Sequence, residues 1–329
     1  MNRSSAAGNV AVIGAGLAGV TAAFQLSEAG LSVRVFDKAR GPGGRMSTRR
    51  NGTREFDHGA QYFTAKENAF RSAVDSWVAK GIVAPWTGEI VKINNGSVEP
   101  TRERTERFVA VPRMSSLCRS YSEALDVEYQ TVVSKVARSG GTWEVFAQGD
   151  SLGEFQHVVI TTPPAQAVPL LVDAPQIASE VQSIEMAPCL AVMVSFGAPV
   201  TADWSGAFVS DSPLSWIARN SSKPGRPKGE SWVLHASPEW SNDNFDKDPE
   251  QVAEALVNEF FRATGCSGVD SESTETHRWR YAKTKNPLGS GYLYESEMGI
   301  GVCGDWCRGD RVEDAYLSAR YLAEHLIAG

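Results

Sequence analysis

The chain has 329 residues, 42% of them hydrophobic and 22% charged, with a formal net charge of −7. That length allows one large domain or two interlocked ones. The acidic balance argues against a general nucleic-acid binder, which needs a basic face. No apolar run reaches the ~18 residues of a membrane-spanning helix.

Asn9–Ile13 is rich in Val and Ile and reads as a buried strand. Leu17, Val20 and Phe24 then recur at helical spacing, and Gly30 stops that helix. Ser32 to Phe36 alternates as a second strand, completing a βαβ opening. The stretch VAVIGAGLAGVTAAFQL has the hydrophobicity of a signal peptide, but its regularly spaced glycines and polar tail favour a folded unit. Residues 66–80 read as an amphipathic helix with Phe70, Val74, Trp77 and Val78 inward. Short strands and turns are expected over 82–111, with one turn at residues 94–96 (NNG). A hairpin is expected over 131–148 and a buried strand at 157–160, ended by Pro163 and Pro164. Further strands are expected at 189–196, 215–219, 231–237, 276–283 and 300–303. A helix from Pro249 to about Ala263 separates two of these. The loop 220–230 (NSSKPGRPKGE) reads as the most flexible piece. In the last helix, Val312, Ala315, Ala319, Leu322 and Leu326 face inward, while Glu313, Asp314, Arg320 and Glu324 face away.

Five cysteines, Cys118, Cys189, Cys266, Cys303 and Cys307, are odd in number and scattered. They point to reduced thiols and a cytoplasmic location. No second Cys/His pair accompanies Cys303 and Cys307 at zinc spacing, so no metal site is expected.

The strongest chemical signal is Gly14, Gly16 and Gly19, a G-x-G-x-x-G that follows a strand and opens a helix. The first glycine permits the turn, the second lets backbone approach a pyrophosphate, and the third lets helix and strand pack closely. The helix start supplies free N–H groups for phosphate oxygens. Asp37, at the end of the second strand, can accept from ribose hydroxyls. GPGGRMSTRR at residues 41–50 follows at once. Gly43 and Gly44 admit close backbone approach, and Arg45 offers a rigid donor fork to a pyrophosphate; Arg49 and Arg50 read as surface residues. At the far end, GVCGDWCRGDRVEDAYLSA places Gly304 and Asp305 between a strand and a helix. There Asp305 can bond a ribityl chain, and the helix start can face the part of a flavin that becomes negative on reduction. Two signals at opposite ends of the chain suit one long cofactor, FAD.

Together, VAVIGAGLAG, GPGGRMSTRR, EFDHGAQYFTA, VVITTPP and GVCGDWCRGDRVEDAYLSA resemble the FAD-dependent amine oxidase superfamily. Within it the short length and FDHGAQYFTA look like the renalases, and closest to the bacterial ones. One departure is Asp314, near which the family pattern suggests a small residue. The resemblance implies an α/β fold: a Rossmann-type FAD-binding domain with an interleaved α+β substrate domain, as in amine oxidases and p-hydroxybenzoate hydroxylase. The expected division is 1–70, 100–165 and 285–329 for FAD, and 71–99 and 166–284 for substrate. The resemblance also implies non-covalent FAD. Gly14, Ala15, Gly16, Leu17 and Ala18 would cradle its pyrophosphate, and Asp37 and Lys38 would flank the ribose. Arg45 and Met46 would run along it. His58, Gly59, Ala60 and Gln61 would lie beside the isoalloxazine, and Val133 would meet the adenine. Gly304, Asp305, Arg311 and Val312 would close the flavin end.

For the substrate, Gln61, Tyr62, Phe63 and Thr64 continue past the flavin loop. His277, Trp279 and Tyr281 share one strand face; this face either stacks a flat ring or is plain core. Arg280, Lys283 and Lys285 either meet substrate phosphates or are simply solvated. His157, His235, His277 and His325 are isolated in sequence, and structural roles are expected for them. No Ser-His-Asp set or carboxylate pair stands out, which suits hydride transfer. The implied reaction is oxidation of 2- or 6-dihydro isomers of NAD(P) to β-NAD(P)+, with O2 as acceptor and H2O2 as product; no side-chain base is expected. The rivals are an amine oxidase, a carotenoid or porphyrinogen desaturase, and an FAD-binding module without turnover. No nucleic-acid or membrane partner is expected, and the sequence leaves the oligomeric state open.

Overall fold

The computed structural model describes residues 8–101, 105–266 and 269–329. Parts of the expected division, at 1–7, 102–104 and 267–268, lie outside the described residues.

A six-stranded sheet forms the first half of the architecture. Its order is Leu293–Glu295, Ile300–Val302, His157–Ile160, Asn9–Ile13, Ser32–Asp37 and Asp126–Tyr129. All neighbours run parallel except the outermost pair, Leu293–Glu295 with Ile300–Val302. Parallel strands need cover on both faces, and the alternation of Asn9–Ile13 supplies it. Val10 and Val12 point into one core, shared with the helices Leu17–Glu28 and Val312–Ala328. Ala11 and Ile13 point into another, shared with the antiparallel meander Val133–Ser139, Thr142–Ala147 and Asp150–Phe155, and with Trp306.

The second half is a seven-stranded sheet in the order Ser271–Thr284, Met186–Phe196, Glu230–Ala236, Leu214–Arg219, Gly206–Ser210, Ile90–Asn94 and Ser97–Pro100. One face buries Val192, Val194, Ile217, Trp232 and Leu234 against Val252, Leu256 and Phe260 of the helix Pro249–Thr264. That helix starts with an Asp248 side-chain cap and stops at left-handed Gly265. Residues of opposite parity face the other way: Met193 and Val233 meet Phe56, and Trp216 and Ala218 join the core of the first half. The two halves are thus joined through this second face.

The helix Asn68–Ala79 buries Phe70, Val74 and Trp77 beside the helices Leu17–Glu28 and Val312–Ala328. Two expectations are corrected here. Glu313 does not face away. It is buried, and its carboxylate accepts from the Lys66 and Glu67 N–H groups at 2.8 Å each, which fixes the chain where it enters the helix Asn68–Ala79. The loop 220–230 is not a flexible appendage, because Asn220, Lys223 and Arg226 are buried.

Candidate cofactor and substrate site

The three glycines at the first strand–helix turn have different local needs. Gly14 sits at φ +112°, and a side chain there would meet Thr161 Oγ1 at 2.5 Å. A methyl on Gly19 would overlap the Gly14 carbonyl and lie 2.9 Å from Thr161 Oγ1, so this contact lets the helix press on the strand. At Gly16 a methyl would meet nothing within 4 Å. Gly16 is also the N-cap of Leu17–Glu28, with no side-chain cap bond and no acidic residue in the first turn. Free N–H groups beside open space make an anion cradle. Asp37 lies at its edge: its carboxylate accepts from the Ala15 N–H at 2.5 Å and from the Ala39 N–H at 2.7 Å. Lys38 reaches outward, to Gln166 at 3.2 Å.

Segments far apart in sequence converge next to this cradle. Gly43 N–H donates to the Ala15 carbonyl at 2.9 Å, which lays the GPGGRM turn along Gly16. Arg45 Nη1 donates to Asp305 Oδ2 at 2.7 Å, and Nη2 to Oδ1, a fork across 260 positions. Met46 is buried in the core below. Ala60 N–H donates to the Arg45 carbonyl at 2.8 Å. A methyl on Gly59 would overlap that same carbonyl and come within 3.2 Å of Trp279. Gly304 N–H donates to Ser318 Oγ at 2.9 Å, fixing the turn before Asp305. Arg311 is the N-cap of the last helix, with its N–H given to Asp314 at 3.1 Å, and Val312 is the first helical residue. Asp314, near which a small residue was expected, therefore has a specific task. Val133 is half-buried at the start of the meander.

Beside the 57–61 loop stands an aromatic wall. The His58 ring stacks on Trp279 at 5.0 Å, and His277 meets both rings edge-on, at 4.7 Å from His58 and 4.3 Å from Trp279. Trp279 Nε1 donates to the His58 carbonyl at 2.9 Å, and His235 Nε2 lies 3.0 Å from the same oxygen. Strand register continues the wall: His277, Ala191, His235 and Trp216 pair across four adjacent strands and so share a face. Tyr62 packs on Trp216 and Trp86, with the Arg107 guanidinium over its ring. Burial holds these imidazoles neutral. His58 is pushed down to about 3, with His277 and Arg49 adding to the effect. His277 falls to about 4 by burial and then Arg49. Burial takes His235 to about 4 against the His58 carbonyl bond, helped by Lys283 and Lys223.

Beneath the loop is a buried ionic cluster. One oxygen of the Asp57 carboxylate accepts from Thr48 Oγ1 at 2.7 Å and Met114 N–H at 3.1 Å. The other accepts from Arg226 at 2.7 and 3.0 Å and faces Lys223 Nζ at 3.4 Å. Lys223 also donates to Gln61 Oε1 at 3.1 Å and Asn220 Oδ1 at 3.2 Å. Burial would raise the Asp57 carboxyl, but Lys223 and Arg226 bring it below its ordinary value. Burial lowers Lys223 to about 8 despite Asp57.

The expected substrate residues divide. Gln61, Tyr62 and Trp279 lie on the 57–61 loop or pack beside it. Phe63 is not: it is core, packed on Phe70, Trp77 and Phe108 and bridged to Phe108 through both backbone groups. Thr64 is half-buried beyond it. Tyr281 is half-buried in the stretch where the strand register slips between Trp279 and Lys283. His235 and His277, isolated in sequence, meet at His58. His157 and His325 instead pair with the Tyr294 and Tyr292 hydroxyls, 2.8 Å away in each case. Arg49 is more than a surface charge, since it bridges Glu275 at 3.1 Å and His277 at 3.3 Å. Arg280 covers the Phe245 ring, and Lys285 pairs with Glu185. The sequence reading missed Asp57, Trp216, Asn220, Lys223 and Arg226. Trp216 was legible from strand alternation, and Asp57 adjoins the recognised loop; nothing local marks Lys223 or Arg226.

A Rossmann sheet and an antiparallel sheet closing on one glycine-lined seam define a nucleotide-binding two-part fold. The profile of NAD(P)-binding Rossmann-like domains matches residues 12–77, and that of flavin-containing amine oxidoreductases matches residues 100–327. The second match covers well over half of the chain, so this protein belongs to the flavin-containing amine oxidoreductase family, and its cofactor is FAD. Among solved structures the chain is similar to a candidate protoporphyrinogen oxidase from Exiguobacterium sp. 255-15, with TM-score 0.81, 12% identity, and 99% of this chain and 100% of that one covered. It is also similar to cyclohexylamine oxidase from Brevibacterium oxydans IH-35A, with TM-score 0.77, 12% identity and 98% and 99% coverage. A third is putrescine oxidase bound to putrescine, with TM-score 0.70, 14% identity and 98% and 99% coverage. The residues present fit FAD: the open face of Gly16 and the uncapped helix start suit a pyrophosphate.

Proposed function

We propose that this chain is a flavoprotein oxidase of the renalase type, acting on dihydro-NAD(P) isomers reduced at ring carbon 2 or 6. In the net reaction, the dihydro isomer, O2 and one proton give β-NAD(P)+ and H2O2. FAD supplies the two-electron acceptor and returns the electrons to dioxygen. The ring carbon loses hydride and the ring becomes aromatic, so no side chain needs to take a proton. The chain's task is to position the ring and exclude water.

The observation that supports this reading is the His58–Trp279–His277 wall. His58 and Trp279 stack, His277 closes on both rings edge-on, burial keeps the imidazoles neutral, and the nearby cations Arg49 and Lys223 face Glu275 and Asp57. Asp57, the nearest carboxylate to the loop, is consumed by two buried cations. Such a neutral aromatic site suits an uncharged dihydropyridine, and its Asp57 carboxylate is not free to pair with an alkylammonium. Under this reading Gly14, Ala15, Gly16, Leu17 and Ala18 hold the FAD pyrophosphate, and Asp37 and Lys38 flank its ribose. Val133 meets the adenine. Arg45, Met46, His58, Gly59, Ala60, Gln61, Gly304, Asp305, Arg311 and Val312 surround the rest. Tyr62 and Trp279 face the substrate. The cofactor is non-covalent: Cys303 and Cys307 are fully buried, and burial pushes the Cys307 thiol up to about 12. A cytoplasmic location belongs to the same proposal; no described helix is long and apolar enough to cross a membrane.

The family match favours a second reading, oxidation of an amine. Steady-state assay separates the two. Dihydro isomers should be converted to β-NAD(P)+, scored with a dehydrogenase specific for that form, with one H2O2 per product. Turnover of amines with inert dihydro isomers contradicts the proposal.

A further inference from the structure

The cluster beneath the 57–61 loop holds two cations and one carboxylate, with Lys223 and Asp57 side chains fully buried and Arg226 at 1% side-chain exposure. Arg226 claims the Asp57 carboxylate through two short bonds, while Lys223 stands further away at 3.4 Å. Lys223 is therefore the charge without a full partner, and its nearest contact is the Gln61 carboxamide oxygen at 3.1 Å. The Gln61 amide nitrogen is equally committed. It donates to the Asp57 carbonyl and to the Gly59 carbonyl at 3.0 Å, so both ends of the carboxamide are fixed. Lys223 arrives from the strand connection of the antiparallel sheet, whereas Gln61 sits on the loop of the first half. A buried charge is costly unless it is paired and hydrogen-bonded, and Lys223 makes up for its distant carboxylate with hydrogen bonds to Gln61 and Asn220.

We propose that Lys223 is a positioning residue for the ring-binding loop, acting through Gln61, and that it delivers one unneutralised positive charge to that loop. This rests on FAD lying along the loop 58–61, and not on the identity of the substrate. A fixed positive charge there stabilises the electron-rich state of whatever ring system the loop contacts. The titratable and charged groups facing Lys223 are few. Asp57 is held ionised by its partners and Arg226 is cationic; His235, at about 4, is neutral above pH 6. The Arg113–Glu55 pair lies behind Asp57. Of these, Lys223 is the group that loses its proton near pH 8.

The test uses FAD-loaded full-length protein and needs no substrate. The two-electron midpoint potential and the oxidised visible band are followed from pH 6 to pH 10 in the wild type, Lys223→Met and Lys223→Gln. The wild type should show an inflection near pH 8 in both readouts. Lys223→Met should lack it and should have a lower potential at pH 7. Lys223→Gln keeps a donor to Gln61 and should fold where the methionine variant fails, also without the inflection. Variants that melt earlier but retain the wild-type potential and pH profile would show a purely structural lysine and overturn the proposal. So would a wild type with no inflection.

Discussion

A methyl group added at Gly16 and one added at Gly19 should have opposite consequences. Gly16 has φ −72° and ψ 177°, which alanine adopts without strain, and nothing in the protein lies within 4 Å of the new atom. Gly16→Ala should leave the melting temperature of FAD-free protein within about 1 °C of wild type, as for an unstrained surface change of a few tenths of a kcal/mol. The same methyl occupies the cradle and holds a phosphate away from the first-turn N–H groups. Losing one charge-assisted hydrogen bond costs about 1.5–3 kcal/mol, which is roughly 10- to 100-fold in the FAD dissociation constant. Gly19→Ala should do the reverse. Its methyl overlaps the Gly14 carbonyl and lies 2.8 Å from the carbonyl carbon, both backbone, so the helix must move. Overpacking of that kind costs about 1–3 kcal/mol or more, and the FAD-free melting temperature should fall by several degrees. FAD titration followed by quenching of its fluorescence, together with melting of the FAD-free proteins, reads both effects. Wild-type FAD affinity in Gly16→Ala would refute the cradle.

Asp57→Asn leaves two buried cations without their carboxylate and should cost about 3–5 kcal/mol, read as a reduced urea midpoint at unchanged slope; a loss below ~1 kcal/mol contradicts the cluster's role. His58, His235 and His277 have folded values of about 3, 4 and 4, below the ordinary 6.5. The unfolded chain therefore binds more protons at acid pH. The stability that their neutrality contributes is complete above pH 6.5 and is lost as pH falls toward 4 and 3, with a slope approaching about 4 kcal/mol per pH unit if all three take part. Urea unfolding at pH 7, 6, 5 and 4 checks this, and flat stability between pH 6.5 and 4.5 contradicts it. Trp279→Ala removes the stack on His58 and should raise KM for the ring substrate at least tenfold while FAD stays bound; a change in kcat alone contradicts its place in the wall.

The nucleotide-binding half was the more legible in sequence. Its signals are local: a glycine pattern, a strand before it and a helix after it, as well as a second strand–turn–helix at residues 300–328. The wall and the ionic cluster are made by non-local pairing. His235 and His277 both reach His58 because their strands flank Met186–Phe196 in register. The register slip between Trp279 and Lys283, around Tyr281, is one that alternation alone does not reveal. The loop 220–230 has the composition of a solvated linker, yet Lys223 and Arg226 are drawn inward by a carboxylate 166 and 169 positions away. Phe63 follows Tyr62 in sequence, but pairing with Phe108 turns it into the core.

The central claim concerns which molecule reduces the bound FAD. Under anaerobic conditions the yellow, FAD-loaded protein is mixed with borohydride-reduced NAD+, which contains the 2-, 4- and 6-dihydro isomers, and separately with putrescine and cyclohexylamine. The account predicts rapid bleaching by the isomer mixture, no bleaching by pure 4-dihydro NADH on the same timescale, and none by the amines. Bleaching by an amine but not by the isomers would contradict it.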